Sequence, residues 1–321
     1  MAAAGGYSFT NAAPFRNAQL VKEPGALGEE IPSTMKFFSP WMIGALVSGF
    51  FVLLIWQERR RPLRKRVEPD LKHGVRNFVI AFAGAMAMVV FEAPLIQPLA
   101  RLVEGRHWGL LGAAELPAWL EAAIALVLMD YTFYLWHVMM HRLPQLWRFH
   151  AVHHVDLDLD STTALRFHFG ELLVSIPWRA AQVLVIGLDP FTFAIWQVWF
   201  ALCVMFHHSN LRLPIQWERW INRILVTPRM HGVHHSNVQE ETDSNWSSGL
   251  TVWDWLHGTL RLNVPQEEIV IGVPALNTPD TIGLPAVLAL PFRDQPEYWR
   301  FPDGTTPEPN STATSPSRLL D

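Results

Sequence analysis

Five apolar runs, each approaching the roughly 20 residues a helix needs to cross a hydrocarbon core, constrain this chain more than any other feature. They are Pro40 to Trp56, Phe78 to Ile96, Ala118 to Trp136, Leu172 to Leu188 and Phe191 to Phe206. A bilayer offers no water to backbone N–H and C=O groups, so segments of this length must satisfy them as helices. The expected fold is all-α: an integral membrane protein with four or five transmembrane helices. The second run holds Glu92 and Pro94 and the fourth holds Pro177 and Arg179, which weakens both as simple spans. Only Asp189-Pro190 separates the fourth from the fifth, a turn that forces a tight helical hairpin.

Composition agrees with a membrane setting. Hydrophobic residues make up 50% of the 321 residues and charged residues 17%, too apolar for an ordinary soluble domain. The 15 Trp and 19 Phe against 4 Tyr suit aromatics placed at or within a bilayer boundary. A net charge of −4 supplies no basic surplus for nucleic acid. The lone Cys203 excludes an internal disulfide framework. Met1 to Ser39 lacks the basic and apolar regions of a cleaved signal peptide.

The basic run from Arg59 to Arg66 abuts the first span, whereas the stretch after the second carries only Arg101 and Arg106. The positive-inside rule therefore makes the first loop cytoplasmic; a nucleic-acid patch is the competing reading of the same run. Counting spans from there, everything between the third and fourth, and everything after the fifth, is cytoplasmic. Leu211 to Leu262 reads as a Trp-rich helical cap lying on the membrane. The expected organisation is an N-terminal extension (1–39), a membrane-embedded domain (40–270), a peripheral segment (271–301) and a Pro-, Ser- and Thr-rich disordered tail (302–321).

Eleven of the fourteen histidines lie between His137 and His235. They form His137-x-x-x-His141, His150-x-x-His153-His154 and His231-x-x-His234-His235, with His168 and His207-His208 between. Residues three and four apart share a helix face, so each motif presents two or three imidazoles to one point, as a metal centre requires. Imidazole suits Zn, Cu, Fe and Ni, and eight or more ligands exceed what one ion can use. Two metals follow. All eleven also fall on the cytoplasmic side of the topology just derived. His73, His107 and His257 have no histidine neighbours and are not expected to be ligands. Asp130 lies two turns before His137 within an apolar span, where it could orient an imidazole from behind or pair with a buried arginine. Asp156, Asp158 and Asp160 alternate with apolar residues, as on a solvated edge.

From Asp130 to Thr259 the chain resembles the fatty acid hydroxylase and sterol desaturase superfamily of membrane di-iron oxygenases. The resemblance rests on Asp130 with His137 and His141, and on Leu146-Trp147-Arg148-Phe149-His150 leading into His153-His154. It continues through Thr163-Ala164-Leu165-Arg166, His208-Ser209-Asn210, Thr227-Pro228-Arg229-Met230-His231 leading into His234-His235-Ser236, Asp243-Ser244-Asn245, Trp253-Asp254 and Gly258-Thr259. It implies transmembrane helices under a cytoplasmic cap, two iron ions, and O2-dependent hydroxylation or desaturation of a sterol, fatty acyl or related lipid. Electrons would come from NAD(P)H through a cytochrome or ferredoxin partner. The membrane would be the inner or plasma membrane of a bacterium or the endoplasmic reticulum of a eukaryote. The ligand role carries over onto His137, His141, His150, His153, His154, His231, His234 and His235, with His208 and His168 as further candidates. The chain departs from the family pattern at Asn245-Trp246-Ser247, where Asn-Tyr-Gly is common, and at His257, where Phe is common.

Two other functions compete. A zinc-dependent membrane hydrolase would be expected to carry a catalytic carboxylate beside a His pair on one helix, and the motifs have none. A metal transporter or haem carrier would place ligands near the midplane of the spans, whereas these histidines sit to one side.

Overall fold

The computed structural model describes residues 40–114 and 116–309. The expected N-terminal extension and residues 310–321 of the expected tail lie outside them. Thirteen helices follow in order: α1 (Pro40–Arg60), α2 (Asp70–Ala87), α3 (Ala93–Arg106), α4 (Gly109–Gly112), α5 (Ala118–Arg142), α6 (Pro144–His154), α7 (Phe169–Gln182), α8 (Pro190–His208), α9 (Ile215–Ile221), α10 (Pro228–His234), α11 (Gln239–Thr242), α12 (Val252–His257) and α13 (Leu284–Ala289). Among the described residues β structure is confined to three isolated bridges.

Five helical stretches are long and apolar enough to cross a membrane: Trp41–Arg60, Asp70–Gly112, Ala118–Arg142, Phe169–Gly187 and Pro190–His208. Large apolar side chains such as Val52, Phe82, Val89 and Leu95 are exposed along them, as expected of surfaces that meet lipid rather than water. The protein is an all-α membrane protein. The second stretch is much longer than the run from Phe78 to Ile96. It begins at Asp70, with His73, Arg76 and Asn77 of its first turns buried by partners elsewhere in the chain, and it runs through a π-helical turn at Met88–Glu92 into α3.

Local sequence sets the hairpins. Pro144 disfavours helical backbone at the residue before it, and Leu143 is extended at φ −102°, ψ 114°. Helix α5 stops there, and α6 restarts with Pro144 in its first turn, where a missing N–H costs nothing. This elbow turns the His150 motif back toward the His137 motif. Asp189 caps α8 by accepting from the Phe191 and Thr192 N–H groups at 2.8 and 3.0 Å. At that same end Gly109 and Gly187, at φ +86° and +89°, bring two backbones so close that a Cβ on either would collide with the other.

Every span has its other end at the histidines. Glu58, near the end of α1, accepts from Ser161 and Asn210. The first turns of α2 meet Asp156, and His137 and His207-His208 close α5 and α8. Between the spans Ile96, Val103, Met129, Val183, Phe193 and Trp196 form one buried apolar cluster. A second backs α6, where Trp147, Ala151, Val152 and Val155 pack against Val273, Ile282 and Leu290. Residues 271–301 thus supply five of the eleven buried residues of the core behind a histidine helix. In the expected tail, Phe301 donates to Thr305 O and Asp303 accepts from Thr305, closing a turn.

Candidate metal centre

Nine histidines converge as two buried groups. His137, His141, His150, His154 and His234 form one, and His153, His208, His231 and His235 the other; within each group the potential ligand atoms lie within 4.8 Å of one another. Ring nitrogens face each other at 3.2 Å between His137 and His150, 2.9 Å between His153 and His208, 3.0 Å between His208 and His231 and 3.2 Å between His231 and His235. With metal–nitrogen bonds of about 2.0–2.1 Å, neighbouring ligands at right angles stand about 2.9 Å apart. The observed spacings fit imidazoles arranged around an ion.

The opposite edges of the rings explain which nitrogen points inward. His137 Nδ1 donates to Trp246 O at 2.7 Å, His208 Nδ1 to Val204 O at 2.8 Å and His234 Nδ1 to Ser244 O at 2.8 Å. A carbonyl can only accept, so each Nδ1 carries the proton and each Nε2 presents a lone pair to its group. His150 Nδ1 is held instead by Glu171 Oε1 at 3.0 Å. His141 Nε2, His154 Nε2 and His234 Nε2 are buried with no hydrogen-bond partner, a costly state that a bound cation relieves. Burial, and then the neighbouring histidines, push His153, His154, His231 and His235 well below the usual imidazole range. Burial takes His234 down to about 3. These rings are neutral at physiological pH, the form that binds metal.

The carbonyls that set the tautomers are themselves clamped. Asp254, fully buried, accepts from the Trp246 and Ser247 N–H groups at 2.9 Å each and from Thr259 Oγ1 at 2.6 Å. Asn245 adopts the left-handed region at φ +53°, which Asn tolerates better than most residues, and bonds Met230 O and Arg261 O. The departures from the family pattern are absorbed here: Trp246 contributes its carbonyl, and His257 stacks over Tyr131 and Tyr134 as an aromatic would.

Several sequence expectations change. His168 joins neither group; its Nδ1 caps α7 by accepting from Gly170 N–H at 3.0 Å, and its Nε2 lies 3.2 Å from Leu288 O. His207 lies beside the second group, its ring 4.0 Å from that of His231 and its Nδ1 donating to Ser248 O. Among the described residues Asp130 hydrogen-bonds no imidazole and pairs with no arginine. It accepts from Leu250 N–H at 2.9 Å and Trp253 Nε1 at 2.7 Å, tying α5 to the segment that carries Trp246 and Ser248. Asp156, Asp158 and Asp160 are not a solvated edge but buried. Asp156 accepts from His73, Arg76 and Asn77, and Asp158 from the Val67 and Glu68 N–H groups. Burial alone would raise Asp156, but Arg166, His73 and Arg76 hold it well below the usual carboxylate range. His73, without a histidine neighbour in sequence, is thus the partner of two aspartates. Arg166 completes the knot, donating to Val152 O at 2.8 Å and to Asn77, and so anchors α6.

Sequence reasoning gave no role at the metal centre to Glu171, Arg64 or Gly232. Arg64 donates to Pro228 O at 2.7 Å and Gln266 at 2.6 Å, lying against Gly232 between His231 and His234. Glycine beside metal-motif histidines on a helix was the available signal, because a helix interior disfavours glycine unless something must approach closely.

Residues 122–259 match the family model described as fatty acid hydroxylase, a window that contains both histidine groups. Over those residues the chain is similar to the fatty acid hydroxylase family. It is 30% identical over 146 residues to an ornithine lipid hydroxylase, OlsE, of Rhizobium tropici, covering 45% of this chain and 43% of that protein. It is 33% identical over 146 residues to an alkylglycerol monooxygenase of Xenopus tropicalis, covering 44% and 30%. To the human cholesterol 25-hydroxylase it is 29% identical over 226 residues, covering 65% and 76%. The matches thus cover less than half the length of the first two relatives. No solved structure matches this chain significantly.

A narrow cavity leads from the two groups into the spans. His137, His150, His153, His208 and His231 face it at one end, and Phe133, Trp136, Met140, Leu172, Phe200 and Val204 form apolar walls.

Proposed function

We propose that this chain is a member of the fatty acid hydroxylase family that holds two iron ions, one in each histidine group, and uses O2 to hydroxylate or desaturate a C–H bond of a membrane lipid. The observation that carries the reading is the convergence of nine imidazoles, four of them oriented by a carbonyl or by Glu171, at the mouth of an apolar cavity within the spans. Bound iron would supply the one-electron oxygen chemistry that no side chain provides. The protein's own part is positional: carbonyls and Glu171 aim the rings, burial keeps protons off them, and the apolar walls hold a hydrocarbon against them.

The relatives named above are hydroxylases and a monooxygenase acting on lipid-like molecules, which supports the choice of oxygenation over hydrolysis or metal transport. The basic residues Arg59, Arg60, Arg61 and Lys65 lie on the histidine side of the spans, supporting a cytoplasmic metal centre. Trp217, Trp220 and Trp255 are exposed on α9 and α12, as expected of a cap seated at the membrane interface. A cytochrome or ferredoxin fed by NAD(P)H would deliver electrons from that side.

The test is lipid profiling of cells with and without the gene, followed by reconstitution with ferrous iron, reductant and O2. A gain of sixteen mass units indicates hydroxylation and a loss of two indicates desaturation. Zinc-loaded protein should be inactive. Product formation with zinc alone, or without O2, would refute the reading.

A further inference from the structure

Glu171, Ser175 and Arg179 are spaced by four along α7 and so share one face; all three line the cavity. Glu171 belongs to the metal end through His150. Arg179 lies eight residues further along the helix, about 12 Å deeper at 1.5 Å per residue, inside a stretch long and apolar enough to span the membrane. Ionisable groups at such depth are costly and mark function by default.

The partner of Arg179 is incomplete. Its Nε stands 4.0 Å from Glu92 Oε1, beyond hydrogen-bond distance, and its guanidinium carbon lies 4.6 Å from the ring centre of Trp196. Nε and Nη1 of Arg179 and Oε2 of Glu92 are buried with no hydrogen-bond partner. Glu92 is the last residue of the π-helical turn Met88–Glu92, a local irregularity that often marks functional positions. Two donors of Arg179 and one acceptor of its neighbour Glu92 are therefore left unsatisfied, with Arg179 on the wall of an apolar cavity, where unsatisfied polar groups are penalised.

We propose that Arg179 and Glu92 form a subsite for a hydroxyl group of the lipid substrate, which fixes how far from that hydroxyl the chain is oxidised. The inference rests on the oxygenase reading above. A hydroxyl accepts from the guanidinium and donates to the carboxylate at once. A carboxylate or phosphate would bring a second negative charge beside Glu92, and an ester carbonyl would leave Glu92 without a donor. The oxidised carbon would then lie about 12 Å from the hydroxyl oxygen, the rise between Arg179 and Glu171.

The test compares 1-hexadecanol with hexadecane on the iron-loaded protein in detergent micelles. Binding is measured anaerobically by equilibrium dialysis, and oxidation position by mass spectrometry after reductant and O2 are admitted. The variants are R179L and the double variant E92L/R179L, the second avoiding a lone buried carboxylate. Wild type should bind the alcohol at least tenfold more tightly than the alkane and oxidise it at one position. The double variant should lose that preference and spread oxidation along the chain while iron content is unchanged. Retention of the tenfold preference and of the single position in the double variant would overturn the subsite alone. Absence of any oxidised product from iron-loaded wild type would overturn the oxygenase reading and this inference with it.

Discussion

Glu171 Oε1 lies 3.0 Å from His150 Nδ1, the one contact among the described residues in which a carboxylate orients a histidine of either group. A carboxylate behind a ligand imidazole raises its basicity and fixes its ring. Loss of such a partner costs about 10–100-fold in metal affinity or activity. E171Q should keep the ring in place and fall at the mild end of that range, and E171L at the severe end. Iron retained against a competing chelator measures both; equal retention in E171L and wild type would exclude the role.

The two groups predict separable metal loss. H141A or H154A should release one ion and leave the other, and H231A or H235A the reverse, because each group has its own nitrogens within ligand distance. Iron per chain, determined by elemental analysis, should fall from two to about one in each single variant and to about zero in H154A/H235A. Loss of both ions from every single variant would show one shared site.

Gly232 leaves no room for a side chain, since a Cβ there would collide with the Arg64 guanidinium. Overpacking of this kind costs about 1–3 kcal/mol. G232A should lose stability of that order, seen as a drop in the thermal midpoint, and R64A/G232A should recover part of it despite losing the Pro228 and Gln266 contacts. A G232A midpoint equal to wild type would show that Arg64 moves aside freely.

Asp130 ties α5 to the backbone of residues 249–253. D130A leaves the Leu250 N–H and the Trp253 indole without an acceptor, at about 1–3 kcal/mol for each buried donor. D130N keeps one oxygen and should lose less. Both should lower thermal stability more than they lower iron content, because Asp130 acts on the segment behind His137 rather than on the ring. An iron loss in D130N matching that of H137A would place Asp130 against the metal instead.

Asp160 is held below the usual carboxylate range: burial would raise it, but hydrogen bonds from His73 and Thr162 and the charge of Arg66 favour its ionised form. A carboxyl whose folded pKa lies below its unfolded value of about 3.9 adds stability that is complete above that value. That stability is lost as pH falls through the folded one. D160N should therefore be less stable than wild type at pH 7, with the gap closing as the pH falls below about 4. A gap independent of pH would mean that Asp160 acts by shape rather than charge.

The helical spans, the three histidine motifs and the side of the membrane they share were legible in the chain, because apolar run length and helical spacing are local properties. His137 with His141, and His231 with His234, needed only the 3.6-residue period to be placed on one face. What decided between ligand and bystander was not local. His168 became a helix cap because its Nδ1 accepts from Gly170 N–H, and Asp130 was drawn to Leu250 and Trp253 by a segment 120 residues away. The alternating aspartates looked solvated because sequence shows no partner for them. Tertiary packing supplied His73, Arg76 and Arg166, and a buried carboxylate is stable only with such company. Partition of nine imidazoles into two groups was likewise set by how α5, α6, α8 and α10 meet. The helix period aims rings at a face, and only packing determines which faces share a point.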